Sequence, residues 1–540
     1  MSRRTSSTLL PGVLAAVALA GCPGRDARFS VGLAPLAPVP VAGGLLYVEH
    51  DGARAYFLDL AADTPAVHTA PLGQDPVSAV ARAGHPEALV LSRGARGDTG
   101  VSPEPATLAA VAAGATGAPA VAVRTYRVGS PFNGVAQTPD GRFAFVYFRP
   151  DASAARLLFN PNEVAVADLD APPGPANPVL RTVRSFGGVP NDVVFSPPLS
   201  IGGAAPRTFA VVLSDAYVTL MDLAHLDRPE VTVRLTLPED PRAVRPTQVL
   251  FDASDPTVYI RAQASDDVYV LALGPSTAAG ATDNDYRPTV NQLAAGHLPT
   301  DMALFGTGTA RRLLVVAPGS MEARVVDARA NTVTPIPLAA RADRVLLFQA
   351  PSPHDATPHE QALLYAADSA TTAVTFLDLA DVETRRGMNL ETVQLPRAVR
   401  SALPLPERGA VMFSHVDSQD GSLSLLDLTR RTASPIVAEV GIDNATFGVD
   451  RQTLWVAPPS GVRLGYIDLG TFHPGEVRLD AQVTAVVPLT GDPRGRSRVA
   501  ALHPGAGGYV TVLDAAAPLR GTAVSVQGFL LADVLNQEAP

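Results

Sequence analysis

The chain of 540 residues has one cysteine, Cys22, one tryptophan, Trp455, and no lysine; all 42 basic residues are arginine. One thiol excludes an internal disulfide and a zinc site built on several cysteines. The lack of lysine excludes Schiff-base catalysis and Walker-type phosphate loops. Long apolar runs are missing as well. The run from Leu9 to Leu19, broken by Pro11 and Gly12, is about half of the ~20 residues that span a bilayer. Charged residues make up 17% of the chain, with a formal net charge of −10. An acidic chain without basic clusters is a poor match for nucleic acid. No Gly-x-Ser-x-Gly elbow, His-Glu-x-x-His helix or dinucleotide-binding glycine loop occurs.

What is present begins with an address. Arg3 and Arg4 precede the short apolar run, which ends in Leu19-Ala20-Gly21-Cys22. Basic residues, a greasy stretch and small residues, in that order, mark a removable secretion signal. The last four residues resemble the lipobox of bacterial lipoproteins. That resemblance implies removal of residues 1–21, acylation of Cys22 and a membrane anchor of several acyl chains. Pro23 and Gly24 stand where some bacteria place an inner-membrane retention aspartate. The outer membrane is therefore the expected location, with the protein facing the periplasm or the cell surface. Residues 22–39, rich in proline and glycine, read as a tether, and residues 533–540 as a short tail.

The body of the chain repeats itself. With 46% hydrophobic residues, 50 prolines and 44 glycines, it reads as many short strands joined by tight turns. An apolar segment ending in aspartate recurs at Asp59, Asp168, Asp222, Asp327, Asp378, Asp427, Asp468 and Asp514, with Ala272 in the same place once. Most spacings are about 40–55 residues, a propeller-like period. The one long gap leaves room for a degenerate copy near Thr107 to Ala113. A second phrase, led by proline, precedes several copies: Pro131-Phe132-Asn133-Gly134-Val135, Pro190-Asn191-Asp192-Val193, Pro246-Thr247-Gln248 and Pro299-Thr300-Asp301. Thr138-Pro139-Asp140-Gly141 supplies a turn between strands.

This two-part pattern resembles the YVTN-type repeats of bacterial β-propellers. The resemblance implies an all-β propeller of four-stranded antiparallel blades over residues 40–532. About ten units are present, more than the usual four to eight. A single large ring is the expected arrangement; seven or eight blades with insertions, or two tandem rings, are the alternatives. Ser102 to Pro119 and Gly274 to Arg287 read as insertions within units.

In such a fold the residues just after each leading proline converge on one mouth of the central channel. They are Ser78, Asn133, Asp192, Gln248, Asp301, Arg344, Arg400 and Asn444. Six of them, Asn133, Asp192, Gln248, Asp301, Arg344 and Arg400, form the candidate ligand-binding set. Their bland role is to cap strand ends and bond to neighbouring backbone. Pro353-His354-Asp355-Ala356-Thr357-Pro358-His359-Glu360 reads as a solvated turn rather than a metal site. Asp283-Asn284-Asp285 and Asp417 to Gly421 lack an EF-hand pattern. The expected function is a non-catalytic, cofactor-free binding or scaffold module for a protein, peptide or glycan. The alternative is a propeller hydrolase of lactonase type, with dispersed histidines such as His50, His225, His297 and His415 meeting at the channel.

Overall fold

Forty strands form ten four-stranded antiparallel sheets in a computed structural model of the chain. It describes residues 35–531 apart from short stretches, chiefly 96–103, 114–120, 150–159 and 237–243. Each sheet is one blade made of four consecutive strands. The blades span residues 39–71, 76–129, 134–182, 190–234, 246–294, 301–337, 344–394, 399–437, 444–478 and 485–527, numbered 1 to 10 below. Helix is almost absent; the one α-helical turn among the described residues is Val382–Arg385.

Strand alternation explains why the middle strands of each blade are apolar on both faces. In Phe143–Tyr147, the second strand of blade 3, Phe143, Phe145 and Tyr147 pack into the core shared with blade 4. The intervening Ala144 and Val146 pack into the core shared with blade 2. A half-turn per residue thus feeds two neighbours from one strand. Ten such cores exist, one for each adjacent pair of blades. The tenth joins Leu45, Tyr47 and Leu58 of blade 1 to Val510 and Val512 of blade 10. That core closes a single ten-bladed ring. Backbone bonds also cross this seam, from Gly43 N–H to the Thr490 carbonyl at 2.7 Å.

The repeated aspartate has a local cause. It ends the third strand, and its Oδ1 accepts a backbone N–H two or three residues on, at 2.8 to 3.0 Å in eight blades. This Asx turn starts the connection to the fourth strand. In blades 3, 4 and 6 the carboxylate also pairs with an arginine at the start of the second strand: Arg142, Arg207 and Arg312. Blades 2 and 5 lack the aspartate. Their outer hairpins run on instead, Ala106–Ala113 with Val121–Gly129 and Asp267–Pro275 with Tyr286–Ala294. Where the turn signal is missing, the ladder continues.

Several fourth strands carry proline within the ladder, as at Pro335 opposite Arg324 and Pro435 opposite Ser424. These strands are the free outer edges, and a residue without N–H there discourages edge-to-edge pairing.

Three sequence expectations change. The stretch 102–119 is not simply an insertion, since it holds the third strand of blade 2, Ala106–Ala113. Gly274 and Pro275 pair with Arg287 and Tyr286, so the flanks of the stretch 274–287 extend the blade 5 hairpin. The supposed solvated turn after Pro353 falls largely within the strand Asp355–Tyr365, where His359 Nε2 lies 2.8 Å from Asp378 Oδ1. Long cross-strand pairing with Arg344–Ser352 overrides the flanking prolines.

Candidate functional site

First strands of successive blades run closest to one another, so they form the inner wall of the ring. All of them start at the same mouth. Four begin with a β-bulge in the same place: between Pro76 and Ser78, Pro190 and Asp192, Pro246 and Gln248, and Val399 and Ser401. Proline has no N–H to give the ladder, and the bulge that follows re-aims the next side chain. The second strand of each blade ends at this mouth too, because it runs antiparallel to the first.

The best-connected part lies across blades 5, 6 and 7. Gln248 Nε2 donates to Asp301 Oδ1 at 2.8 Å and to the Met302 carbonyl at 3.1 Å. Arg261, at the end of the second strand Thr257–Ala262, donates from Nε to Gln248 Oε1 at 3.0 Å. Its Nη1 reaches the Pro299 carbonyl at 3.1 Å. Asp301 Oδ2 accepts from the Val345 backbone of blade 7 at 3.0 Å. Burial pulls the Arg261 pKa below the usual arginine value; Asp301 opposes that shift and Arg344 adds to it. Tyr365, paired in register with Arg344, has its phenol pushed up, chiefly by burial.

The other candidates sit in separate blade contacts. Asn133 precedes the strand Gly134–Gln137, and its Oδ1 accepts from the Arg149 backbone at 2.6 Å. Asp192 Oδ1 accepts from the Tyr147 hydroxyl at 3.3 Å and from the Val193 backbone at 2.8 Å. Arg400 lies within its bulge, exposed, 4.0 Å from Asp443. The register puts Ser401, not Arg400, in line with Asp192 and Gln248. Gln248, Asp301 and Arg344 are thus brought together; Asn133, Asp192 and Arg400 stand apart along the mouth. Arg344, Asp192 and Arg400 are exposed. Cys22 lies outside the described residues.

Arg261 is the member that reasoning from first strands misses. The available signal is one charged residue inside an otherwise apolar strand, Thr-Val-Tyr-Ile-Arg-Ala. The four histidines are spread over the ring. His50 Nε2 lies 3.0 Å from Asp75, His297 Nδ1 3.2 Å from Asp266 and His225 Nδ1 3.0 Å from Asp222. His415 is buried, with Nε2 2.8 Å from Ser424 Oγ. Among the described residues no three His, Cys, Asp or Glu side chains are grouped to hold a metal ion. The mouth therefore offers donors, acceptors and exposed guanidinium groups on a rigid frame.

No protein-family model matches the sequence. No curated protein matches it either. Among solved structures, the chain is similar to the dihydro-heme d1 dehydrogenase NirN in complex with DHE, at 11% identity and a TM-score of 0.43, over 82% of this chain and 74% of that one. A eukaryotic initiation factor matches at 12% identity and a TM-score of 0.41, over 75% and 89% of the two chains. Apo AztD from Citrobacter koseri matches at 11% and 0.34, over 70% and 92%. At these scores the likeness carries no functional argument.

Proposed function

We propose that the protein is a lipid-anchored binding or scaffold module of the bacterial cell envelope. Cys22 carries the acyl chains, and the ring presents its channel mouth to a protein, peptide or glycan partner. One observation carries this reading. The first strands bring Asp192, Gln248, Asp301, Arg344 and Arg400 to one mouth, where several cross-blade bonds fix the frame and the arginines stay exposed. Exposed charged groups on a preorganised backbone frame suit recognition, because the frame itself need not be ordered on binding. The Leu-Ala-Gly-Cys sequence supports the anchor, and Pro23 and Gly24, standing in place of a retention aspartate, support the outer membrane as location.

The test has two arms. Growth with an alkyne fatty acid should label the wild-type protein and leave Cys22→Ser unlabelled; equal labelling of both overturns the anchor. In-cell photo-crosslinking from position 401 should yield a discrete adduct that Arg344→Ala with Arg400→Ala abolishes. An unchanged adduct, or none, overturns recognition at this mouth.

A further inference from the structure

A cleft of about 450 Å³ opens between blades 4 and 5, beside the turn that ends the third strand of blade 4. Third strands end at the face opposite the one where first strands begin, so this cleft is separate from the channel mouth. It exists because blade 5 breaks the repeat. With Ala272 in place of the turn-forming aspartate, the hairpin of Asp267–Pro275 and Tyr286–Ala294 projects beyond its blade. The projection is anchored on blade 4. Tyr286 donates its hydroxyl to the Leu220 carbonyl at 3.3 Å and sets its ring edge-on against Phe209, 5.1 Å between centroids. Arg228 Nη1 meets Asp285 Oδ1 at 3.1 Å. Departures from a local rule are where functional or strained sites are expected.

The polar groups of the cleft are partly spent. Asp222, 7% exposed, receives Arg207 Nη1 at 2.7 Å and His225 Nδ1 at 3.0 Å on Oδ2, and the Ala224 backbone at 3.0 Å on Oδ1. In a neutral imidazole, the carboxylate so placed keeps the proton on Nδ1 and leaves Nε2 as the acceptor. His225 Nε2 has no partner among the described residues and keeps a lone pair at the cleft wall. Ser276 Oγ accepts from the Ala278 backbone at 3.3 Å, and its own proton has no acceptor among the described residues. The charges cancel, since Arg207 is matched by Asp222 and Arg228 by Asp285. Pro229, Val231, Ala278 and Ala281 supply apolar wall.

We infer that this cleft binds a neutral, polyhydroxylated ligand of sugar size, with a ligand hydroxyl donating to His225 Nε2 and a ligand oxygen accepting from Ser276. A free acceptor and a free donor match neighbouring hydroxyls. The internal ion pairs leave no net charge to attract an acid or an amine. The volume lies within the roughly 300–1,000 Å³ usual for small-molecule sites.

Saturation-transfer NMR and calorimetry on the full folded chain, with a panel of neutral mono- and disaccharides, test the inference. At least one neutral sugar should bind. His225→Ala and Ser276→Ala should each weaken it roughly three- to tenfold, the worth of one hydrogen bond. His225→Gln, which keeps an acceptor, should recover part of the loss, and Ala281→Trp should block the cleft. Val437→Ala, on the exposed outer strand of blade 8, should change nothing. Thermal melts of each variant separate lost binding from lost folding. Failure of every neutral sugar to bind, binding indifferent to both alanine variants in folded protein, or tighter binding of the matching uronic acid or amino sugar overturns the inference.

Discussion

Gln248 Nε2 and Asp301 Oδ1 lie 2.8 Å apart and bridge blades 5 and 6 at the channel mouth. The other oxygen of Asp301 reaches onward to the Val345 backbone in blade 7. One carboxylate thus spans three blades. The polar groups at the mouth are part of how neighbouring inner strands satisfy one another, as well as a surface that a partner meets.

Asp301→Ala should therefore lower stability by about 2 kcal/mol, because it removes one of the two acceptors of the Gln248 amide and strands the Val345 and Met302 N–H groups. Asp301→Asn keeps one carbonyl oxygen and should cost about half as much. Urea denaturation followed by far-UV circular dichroism checks this. Equal midpoints for wild type and Asp301→Ala would show that the bridge contributes nothing to the ring.

The turn rule makes an asymmetric prediction. Asp327 is 7% exposed; its Oδ1 accepts from Arg329 and Ala330 N–H groups at 2.9 Å each, and its Oδ2 meets Arg312 at 2.8 Å. Asp327→Ala should cost about 1–2 kcal/mol, since it removes a turn cap and leaves the largely buried Arg312 with Glu383 as its one remaining carboxylate partner. The reverse change in blade 5, Ala272→Asp, should alter stability by less than about 1 kcal/mol. That position is exposed within a continuing ladder and has no turn to cap. Comparing the two unfolding midpoints tests whether the aspartate acts through the turn or through composition alone.

Legibility from sequence follows the same division. The blade count was readable because each Asx turn needs its own aspartate, so Asp59, Asp168, Asp222 and their successors mark the units. Blade 2, without an aspartate, was still placed by spacing around Thr107. The single ring was expected from the unit count, but the core that closes it was not readable, since it gathers Leu58 and Val510, residues that no local pattern connects. At the mouth, leading prolines located Asp192 and Gln248, but the bulge displaced Arg400 from their register. Arg261 was missed because it belongs to a strand whose other residues look like core. The cleft between blades 4 and 5 was invisible, since it arises where Ala272 fails to stop a strand.

Acid should weaken the ring through His415. Its Nδ1 faces the Ala398 carbonyl at 3.2 Å and its Nε2 faces Ser424 Oγ at 2.8 Å. His503 makes the equivalent pair of contacts in blade 10, to the Gln482 carbonyl and Thr511 Oγ1. The neutral ring, donating through Nδ1 and accepting through Nε2, satisfies both contacts. Burial lowers the pKa of His415 below its ordinary 6.5, so the folded state takes up a proton less readily than the unfolded chain. By linkage, this group's contribution is intact above about pH 6.5 and declines as pH falls toward the depressed folded value. Melting temperature should fall over that window, and the slope should be shallower in His415→Gln. Parallel pH profiles for the two proteins would remove His415 as the cause.

Trp455 offers a test of whether the ring unfolds as one body. It is fully buried in the core between blades 9 and 10, 5.7 Å from the Tyr466 ring. As the only tryptophan, its fluorescence reports that interface alone. Emission should be short-wavelength in the native state and shift red on unfolding. Because blade 10 also forms the closing core with blade 1, losing this contact opens the ring and exposes apolar faces on both sides. The red shift should then coincide with loss of the far-UV signal, as all-or-none unfolding requires. A fluorescence midpoint well below the circular dichroism midpoint would show that blades peel from the seam separately. Trp455→Phe should be mild, within about 1 kcal/mol, because the indole Nε1 is buried without a partner among the described residues and its loss offsets part of the lost packing. Trp455→Ala should cost roughly 3–5 kcal/mol through the cavity it leaves.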